Sequence, residues 1–401
     1  MKKMPRFLTG ALLALFITAC NDDDDLQIEI KNEYQATAFR VLTITPEINE
    51  EGSDMTYQWT IRHSPVSNIT DSVLSTNRDL EFIAIYAGSY ELIFSATSGS
   101  KSVSQTITVD VTEEEKHFCP YITSMYDFSP APGTMANDCY KEDGYTKEQV
   151  MKIALGRIDS TSVGYLLDLG SFGGSVVVGF DHTVINVPGE KDLRIYGTNE
   201  AIATEPVAPG LIFVAYDKNG NGQPDDDEWY KIKGSSHHTD DLTANYSITY
   251  HRRTEGEKIP LGTFFQDVEN VYCEPSSGDP YYLVLLTNRK DLYPLWSGQD
   301  QLSYTGDRLD VHLEAAHPGQ YTLWSYDVPE WGYANALDPD INIDWAVDQD
   351  GNEVHLPGID FIKVVNCVSS DDVMIYSHAQ TSITTKFAGA GDLHLIEKYN
   401  L

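Results

Sequence analysis

Tyr86-Ala87-Gly88-Ser89-Tyr90-Glu91-Leu92 decides how the first part of the chain folds. A glycine just ahead of alternating apolar residues marks a turn that feeds a strand, and the strand continues from Tyr90 to Ala96. Working outward, short β segments parted by turn residues recur at Phe39 to Ile44, Tyr57 to Ile61, Leu80 to Ile85 and Val103 to Val111. Successive strand side chains alternate between faces, so Tyr57-Gln58-Trp59 puts two aromatic rings on one face. Trp59 is then the central aromatic of a small β-sandwich over residues 27–112.

Glu113-Glu114-Glu115-Lys116 interrupts the alternation, and residues 113–117 read as a short linker because consecutive like charges resist burial. A larger domain over 118–401 follows. One helix is expected in it, with Thr146 as N-cap, Lys147 to Leu155 as the body and Gly156 just past the end. The remainder reads as strands, apolar at alternate positions as in Ser175 to Phe180, joined by loops rich in Asp, Asn, Gly and Pro. The expected fold class is all-β, a small immunoglobulin-like sandwich followed by a larger sandwich with one short helix.

The Tyr86 to Leu92 stretch resembles the turn and strand entry of PKD-like immunoglobulin-fold modules. Further phrases follow in order: Leu169-Gly170-Ser171-Phe172-Gly173-Gly174, Val178-Gly179-Phe180-Asp181-His182, Asp192-Leu193-Arg194-Ile195-Tyr196-Gly197, Gly222 to Tyr230, Ile343 to Asp348 and Leu356 to Val364. Together they resemble the PKD-domain-containing cell-surface lipoproteins of gut Bacteroidetes. That resemblance implies a galactose-binding-like jelly roll for 118–401. It also implies a place in nutrient capture beside a TonB-dependent outer-membrane transporter, with a glycan or a corrinoid such as vitamin B12 as ligand. Leu193, where Phe is commoner, and the extra carboxylate Asp227 depart from the pattern. An adhesin or structural surface scaffold is the competing reading, and a glycan hydrolase a third.

The first residues fit a surface lipoprotein. Lys2, Lys3 and Arg6 precede an apolar run from Leu8 to Ile17, too short to span a bilayer, and the small pair Thr18-Ala19 stands before Cys20. This order resembles the bacterial lipobox, in which cleavage after residue 19 leaves Cys20 as the lipid anchor. The acidic tether over residues 20–26, Asp22-Asp23-Asp24-Asp25 at its centre, resembles the surface-export signal of Bacteroidetes lipoproteins. With 61 acidic against 27 basic side chains the formal charge is −34, which repels phosphate backbones and anionic headgroups. Nucleic acid is excluded as a partner, and membrane contact is expected through the lipid alone.

Asp217-Lys218-Asn219-Gly220-Asn221-Gly222-Gln223-Pro224-Asp225-Asp226-Asp227-Glu228 has the oxygen spacing of an EF-hand loop, with glycine at its sixth position. Asp217, Asn219, Asn221, the Gln223 carbonyl, Asp225 and Glu228 are the candidate calcium ligands. The flanks are strand-like, so the loop is expected to clip a β-hairpin. Two neutral Asn ligands lower the charge of the site and point to a Kd on the order of 0.1–1 mM. Asp344, Asp348, Asp350 and Asp360 form a second acidic set, either another ion site or hairpin-turn carboxylates. His237-His238 with Asp240-Asp241 has transition-metal residue types but also reads as a polar loop.

No Gly-x-Ser-x-Gly elbow, His-Glu-x-x-His helix or Gly-x-x-x-x-Gly-Lys loop occurs, so the chain is expected not to be an enzyme. Trp331, Tyr333 and Asn335 lie on a loop after the Tyr321 to Tyr326 strand. They either stack on and orient a ligand or plug the end of a sandwich. Cys119, Cys139, Cys273 and Cys367 allow three pairings, of which Cys119 with Cys139 is preferred because the Pro- and Gly-containing segment between them needs bracing.

Overall fold

The computed structural model describes residues 25–401, apart from 51, 53, 66–68, 70, 134–135, 138–143, 159–164, 199–201, 204–206, 238, 240, 255–268, 285–291, 313, 318–319, 371–373, 377–378 and 381–382. Cys20 and Asp22 to Asp24 lie outside these residues, as do Cys139, His238 and Asp240.

Alternating side chains along Gly88–Ser98 bury Tyr90, Leu92, Phe94 and Ala96, which places this strand in the middle of a sheet. The sheet has five strands in the order Glu33–Thr37, Lys101–Thr112, Gly88–Ser98, Met55–His63 and Ser72–Ser75. Its outermost pair, Glu33–Thr37 with the end of Lys101–Thr112, is parallel, and the others are antiparallel. Leu42–Ile44 pairs with Leu80–Phe82, and Ile44, Leu80 and Phe82 join the same core. Trp59 is fully buried at its centre, 4.7 Å from the Phe94 ring, and its indole N–H donates to the Arg78 carbonyl at 3.0 Å. Gly88 has φ +143°, and a Cβ there would lie 2.5 Å from Pro65 Cγ, so the turn before the strand requires glycine. The Tyr90 hydroxyl closes that turn by donating to the Tyr86 carbonyl at 2.8 Å.

Residues beyond 118 build several β layers. A seven-stranded antiparallel sheet runs Ser124–Ser129, Ser175–Ile185, Gly358–Asn366, Gly210–Ala215, Trp229–Ile232 and Ala346–Val347, with Tyr333–Ala334 also paired to Gly210–Ala215. Gly358–Asn366 sits between strands far earlier in sequence, a Greek-key crossing. Val176, Val178, Ile212, Val214, Ile362 and Val364 of this sheet share one core with Leu193, Ile195, Ile341 and Ala390 of a three-stranded sheet. The molecule is all-β in class.

The region is more layered than the single large sandwich expected for it. A six-stranded sheet, from Gln301–Leu309 through Leu242–His251, Asn270–Pro275, Tyr281–Val284 and Ala379–Gln380 to Met374–Tyr376, has its own core. That core is built around Phe172, Tyr246, Tyr250, Tyr281 and Tyr293. Tyrosine fills a sheet core and still offers a polar end, so these segments resemble half-exposed strands in the sequence. The Tyr250 hydroxyl, for example, donates to the Phe172 carbonyl at 3.1 Å.

Helix α1 spans Lys147–Ile158. Thr146 and Gln149 form a reciprocal capping box, with N–H to side-chain oxygen distances of 2.9 and 3.3 Å. The expected stop at Leu155 is overturned, because Val150, Ala154 and Ile158 complete one buried row. Burying Ile158 offsets the roughly 1 kcal/mol cost of Gly156 within the helix. A second helix, α2, spans Leu393–Tyr399 where only one had been expected. Its N-cap is Asp392, whose carboxylate accepts from the Leu395 N–H at 2.9 Å.

Cys119, Cys273 and Cys367 carry free thiols, so no bridge is formed among the described residues, and Cys139, the expected partner of Cys119, lies outside them. Cys273 and Cys367 are buried in different cores, and each thiol faces a carbonyl, Val271 at 3.5 Å and Pro209 at 3.4 Å. Burial pushes the Cys367 thiol up to about 12.

The two modules meet in a packed junction. Ile185 and Val187 enter the core of the first module. Phe39 contacts Phe118 at 5.2 Å, and Phe118 in turn contacts His182 at 5.2 Å. Lys398 of α2 donates to the Ile85 carbonyl at 3.1 Å and to Glu113 at 3.2 Å, while Arg40 holds Glu114 at 2.7 Å. Glu113 and Glu114 of the acidic linker are thus paired with cations, one from each side.

Candidate functional site: a calcium-type loop beside a cleft

Gly210–Ala215 and Trp229–Ile232 pair antiparallel, with Ala215 opposite Trp229, and residues 217–228 join them. Two glycines in left-handed backbone, Gly220 at φ +68° and Gly222 at φ +72°, let the chain reverse within the loop. The Asp217 carboxylate accepts from the N–H groups of Asn221 at 3.0 Å and Gly222 at 2.8 Å. Asn219 Oδ1 accepts from the Asn221 N–H, and Asn221 Oδ1 accepts from the Gln223 N–H. Both Asn amides donate to Asp225 Oδ2, at 2.6 and 2.7 Å. Glu228 is buried and accepts from the N–H groups of Lys218 at 3.0 Å and Asp225 at 3.3 Å. The Gln223 side-chain amide turns back and donates to the Gly222 carbonyl at 2.8 Å.

Asp217, Asn219, Asn221, Asp225 and Glu228 therefore lie on one short loop and offer only oxygen, the donor type a hard dication takes. Burying the Glu228 carboxylate against two backbone N–H groups favours a counter-charge nearby. Among the described residues no three His, Cys, Asp or Glu side chains gather as a metal-binding group.

Asp360 belongs to the support of this loop. Its carboxylate accepts from the Asp217 N–H and the Thr183 hydroxyl, both at 2.7 Å, and burial pushes its pKa up. The other members of the second acidic set are turn carboxylates. Asp344 accepts from Asn186 and Gly189, and Asp348 caps the turn through Asp350 and Asn352. His237 sits in a turn with its N–H on the Gly234 carbonyl, and Asp241 pairs instead with His312 at 3.0 Å.

Trp331, Tyr333 and Asn335 do not form a binding face. Tyr333 is buried, packed against Gly234, where a Cβ would come within 2.2 Å of its ring. Asn335 is buried too, accepting from the Thr198 N–H at 2.8 Å and donating to the Ala208 carbonyl at 3.0 Å. Trp331 remains half-exposed against Trp345, with ring centroids 4.5 Å apart. Aromatic type alone gave no sign of which ring faces inward.

A feature missed in the sequence lies beside the loop. Tyr216, Lys218, Tyr230 and His355 line a cleft of about 680 Å³ whose opposite wall is Asn77 and Glu81 of the first module. No local motif marks it, because its two walls come from stretches far apart in the chain.

No family model and no curated protein matches the chain. Similar solved structures include the PKD domain of human KIAA0319, at 10% identity over 25% of this chain and 96% of that one, with a TM-score of 0.21. A SusE-like protein is similar at 8% identity over 92% and 97%, also with a TM-score of 0.21. A putative membrane-anchored protein from Corynebacterium diphtheriae is similar at 12% identity over 84% and 62%, with a TM-score of 0.17. Likenesses of this degree do not place the chain in a family.

Proposed function

We propose that this protein is an outer-membrane lipoprotein, anchored through Cys20 and facing the cell exterior. In this reading it binds a nutrient, a glycan or a corrinoid, as accessory to a TonB-dependent transporter. Its role is binding rather than catalysis, and calcium stiffens the 217–228 loop. The observation that carries the reading is the position of that loop at the edge of a cleft of ligand size. A cation held by Asp217, Asn219, Asn221, the Gln223 carbonyl, Asp225 and Glu228 would fix the lip of the cleft before a ligand arrives, which lowers the ordering cost of binding. The lipobox-like order ending at Cys20 and the acidic residues after it support the surface placement.

The anchor is tested by Cys20→Ala. Two acyl chains hold a protein on a membrane stably, so the variant is expected to leave the membrane fraction or to keep its signal uncleaved. A Cys20→Ala protein that loses residues 1–19 yet stays with the membrane would end the lipoprotein reading. Protease shaving of intact cells tests exposure separately, and full protection would count against it.

A further inference from the structure

We infer that the ligand of this protein is a neutral oligosaccharide held between its two β modules, against the calcium-type loop. The inference rests on the capture reading above and specifies its site and substrate class. The cleft comprises two contiguous chambers, of about 590 and 680 Å³, which share Asn77, Glu81, Lys218 and His355 in their walls. Each lies within the range of small-ligand sites, about 300–1,000 Å³. Residues 74–81 of the first module form one wall. The second module supplies the other from the loop and from the turn at Glu353 to Pro357.

Charge narrows the ligand class. Among the described lining residues, Asp79, Glu81, Asp227 and Glu353 carry carboxylates outside the proposed calcium shell, whereas Arg78 and Lys218 are the permanent cations. In a chain of net charge −34 that field repels uronates, sulfates and phosphates. A polycation would have to lie against Lys218, which both chambers share, whereas a neutral polyol meets no like charge.

The remaining chemistry suits sugar hydroxyls, which donate and accept at once. Lys218 and the Asn77 amide donate, Glu81 and Asp227 accept, and the Tyr230 and His355 rings offer surface for the C–H face of a pyranose. Arg78 pairs with Asp79 at 3.0 Å, which offsets its charge at that stretch of wall. The junction of Phe39, Phe118, His182 and Lys398 fixes one module against the other, which makes the cleft preformed rather than assembled by the ligand.

The test uses residues 20–401 with Cys20→Ala, produced without residues 1–19 and so free of the lipid, titrated calorimetrically in calcium. The probes are maltoheptaose, xylohexaose, mannohexaose and a neutral galactan oligosaccharide, with hexagalacturonate, spermine and cyanocobalamin as charged or bulky comparators. At least one neutral oligosaccharide is expected to bind. Glu81→Ala on the first module and His355→Ala on the second should each weaken it about tenfold, and Trp331→Ala should not. Should either alanine variant fail to fold, Glu81→Gln and His355→Gln take their place. Neutral binding that ignores either wall variant puts the site elsewhere and overturns the inference while leaving capture standing. Binding of hexagalacturonate, spermine or cyanocobalamin alone overturns the substrate class and again leaves capture standing. Binding of none of these overturns both.

Discussion

Asp192→Ala is expected to destabilise the protein by about 3–5 kcal/mol, the usual cost of breaking a buried, hydrogen-bonded charge pair. Asp192 is fully buried, and its carboxylate gathers three donors, one from five residues before it and two from 151 and 202 positions further on. Val187 N–H donates at 2.9 Å, Ile343 N–H at 2.8 Å and His394 Nε2 lies at 2.9 Å. Removing the acid leaves two buried backbone donors and a buried imidazole without their partner, and the melting temperature should drop roughly 6–20 °C. The same pair predicts a pH dependence. Burial pushes Asp192 up to about 6, more than the bonds from His394, Ile343 and Val187 pull it down. Burial works to lower His394, but the bond and charge of Asp192, with the charges of Asp392 and Glu190, raise it above its ordinary value on balance. Both groups therefore hold their protons to higher pH in the folded protein than in the unfolded one. Stability from Asp192 is fully present below about pH 4 and is lost as pH rises through about 6, and that from His394 is lost above the ordinary histidine range. Thermal melts at pH 5 and pH 8 should show that loss, and Asp192→Asn should flatten it. An unchanged slope in the variant would show that the pair does not set it.

Calcium at 100-fold excess over its Kd is expected to stabilise the folded chain by about 2.7 kcal/mol, since binding to the native state alone contributes RT ln(1 + [Ca]/Kd). At about 2–4 °C per kcal/mol the melting temperature should rise roughly 5–11 °C, and chelation should reverse it. Asp217→Ala and Glu228→Ala each remove an oxygen donor and a fastening of the loop, so each should abolish the shift. His237→Ala should leave it intact, because imidazole takes no part in an oxygen shell. Superimposable melts with calcium and with chelator, on protein first shown to be metal-free, would return Asp217 to Glu228 to an acidic hairpin turn.

What could be read from the sequence were local patterns. Alternation around Trp59 and Tyr90, the Thr146 cap and the Asp217 to Glu228 spacing all depend on residues within a dozen places of one another. Long-range partnerships left no such trace. Asp392 meets His182 across 210 positions at 2.9 Å, and His394 meets Asp192 across 202. His182 and Asp192 stood in phrases noted for their resemblance, but nothing nearby showed that each awaited a partner from the end of the chain. Helix α2 was hidden because its cap, Asp392, closes a Gly389–Asp392 strand, and seven residues are too few for a helical period to show. Tyr333 misled for a different reason, since an aromatic loop residue is equally at home stacking on a ligand and sealing a core.

The parallel pairing of Glu33–Thr37 with Thr108–Thr112 has a mechanical consequence under the anchor proposed above. Tension from the tether enters the first strand at its start, and a load on the rest of the molecule leaves the second strand at its end. Because both run the same way, pulling slides one along the other, and the five register pairs from Glu33–Thr108 to Thr37–Thr112 resist together. The hairpin of Gly88–Ser98 with Lys101–Thr112, pulled apart at its open end, would instead unzip bond by bond. Single-molecule pulling of the first module from residues 25 and 112 should thus rupture at higher force than pulling from residues 88 and 112, and equal forces would remove the distinction. If the proposed anchor holds, this shear pairing places the first module's strongest mechanical resistance at its junction with the tether.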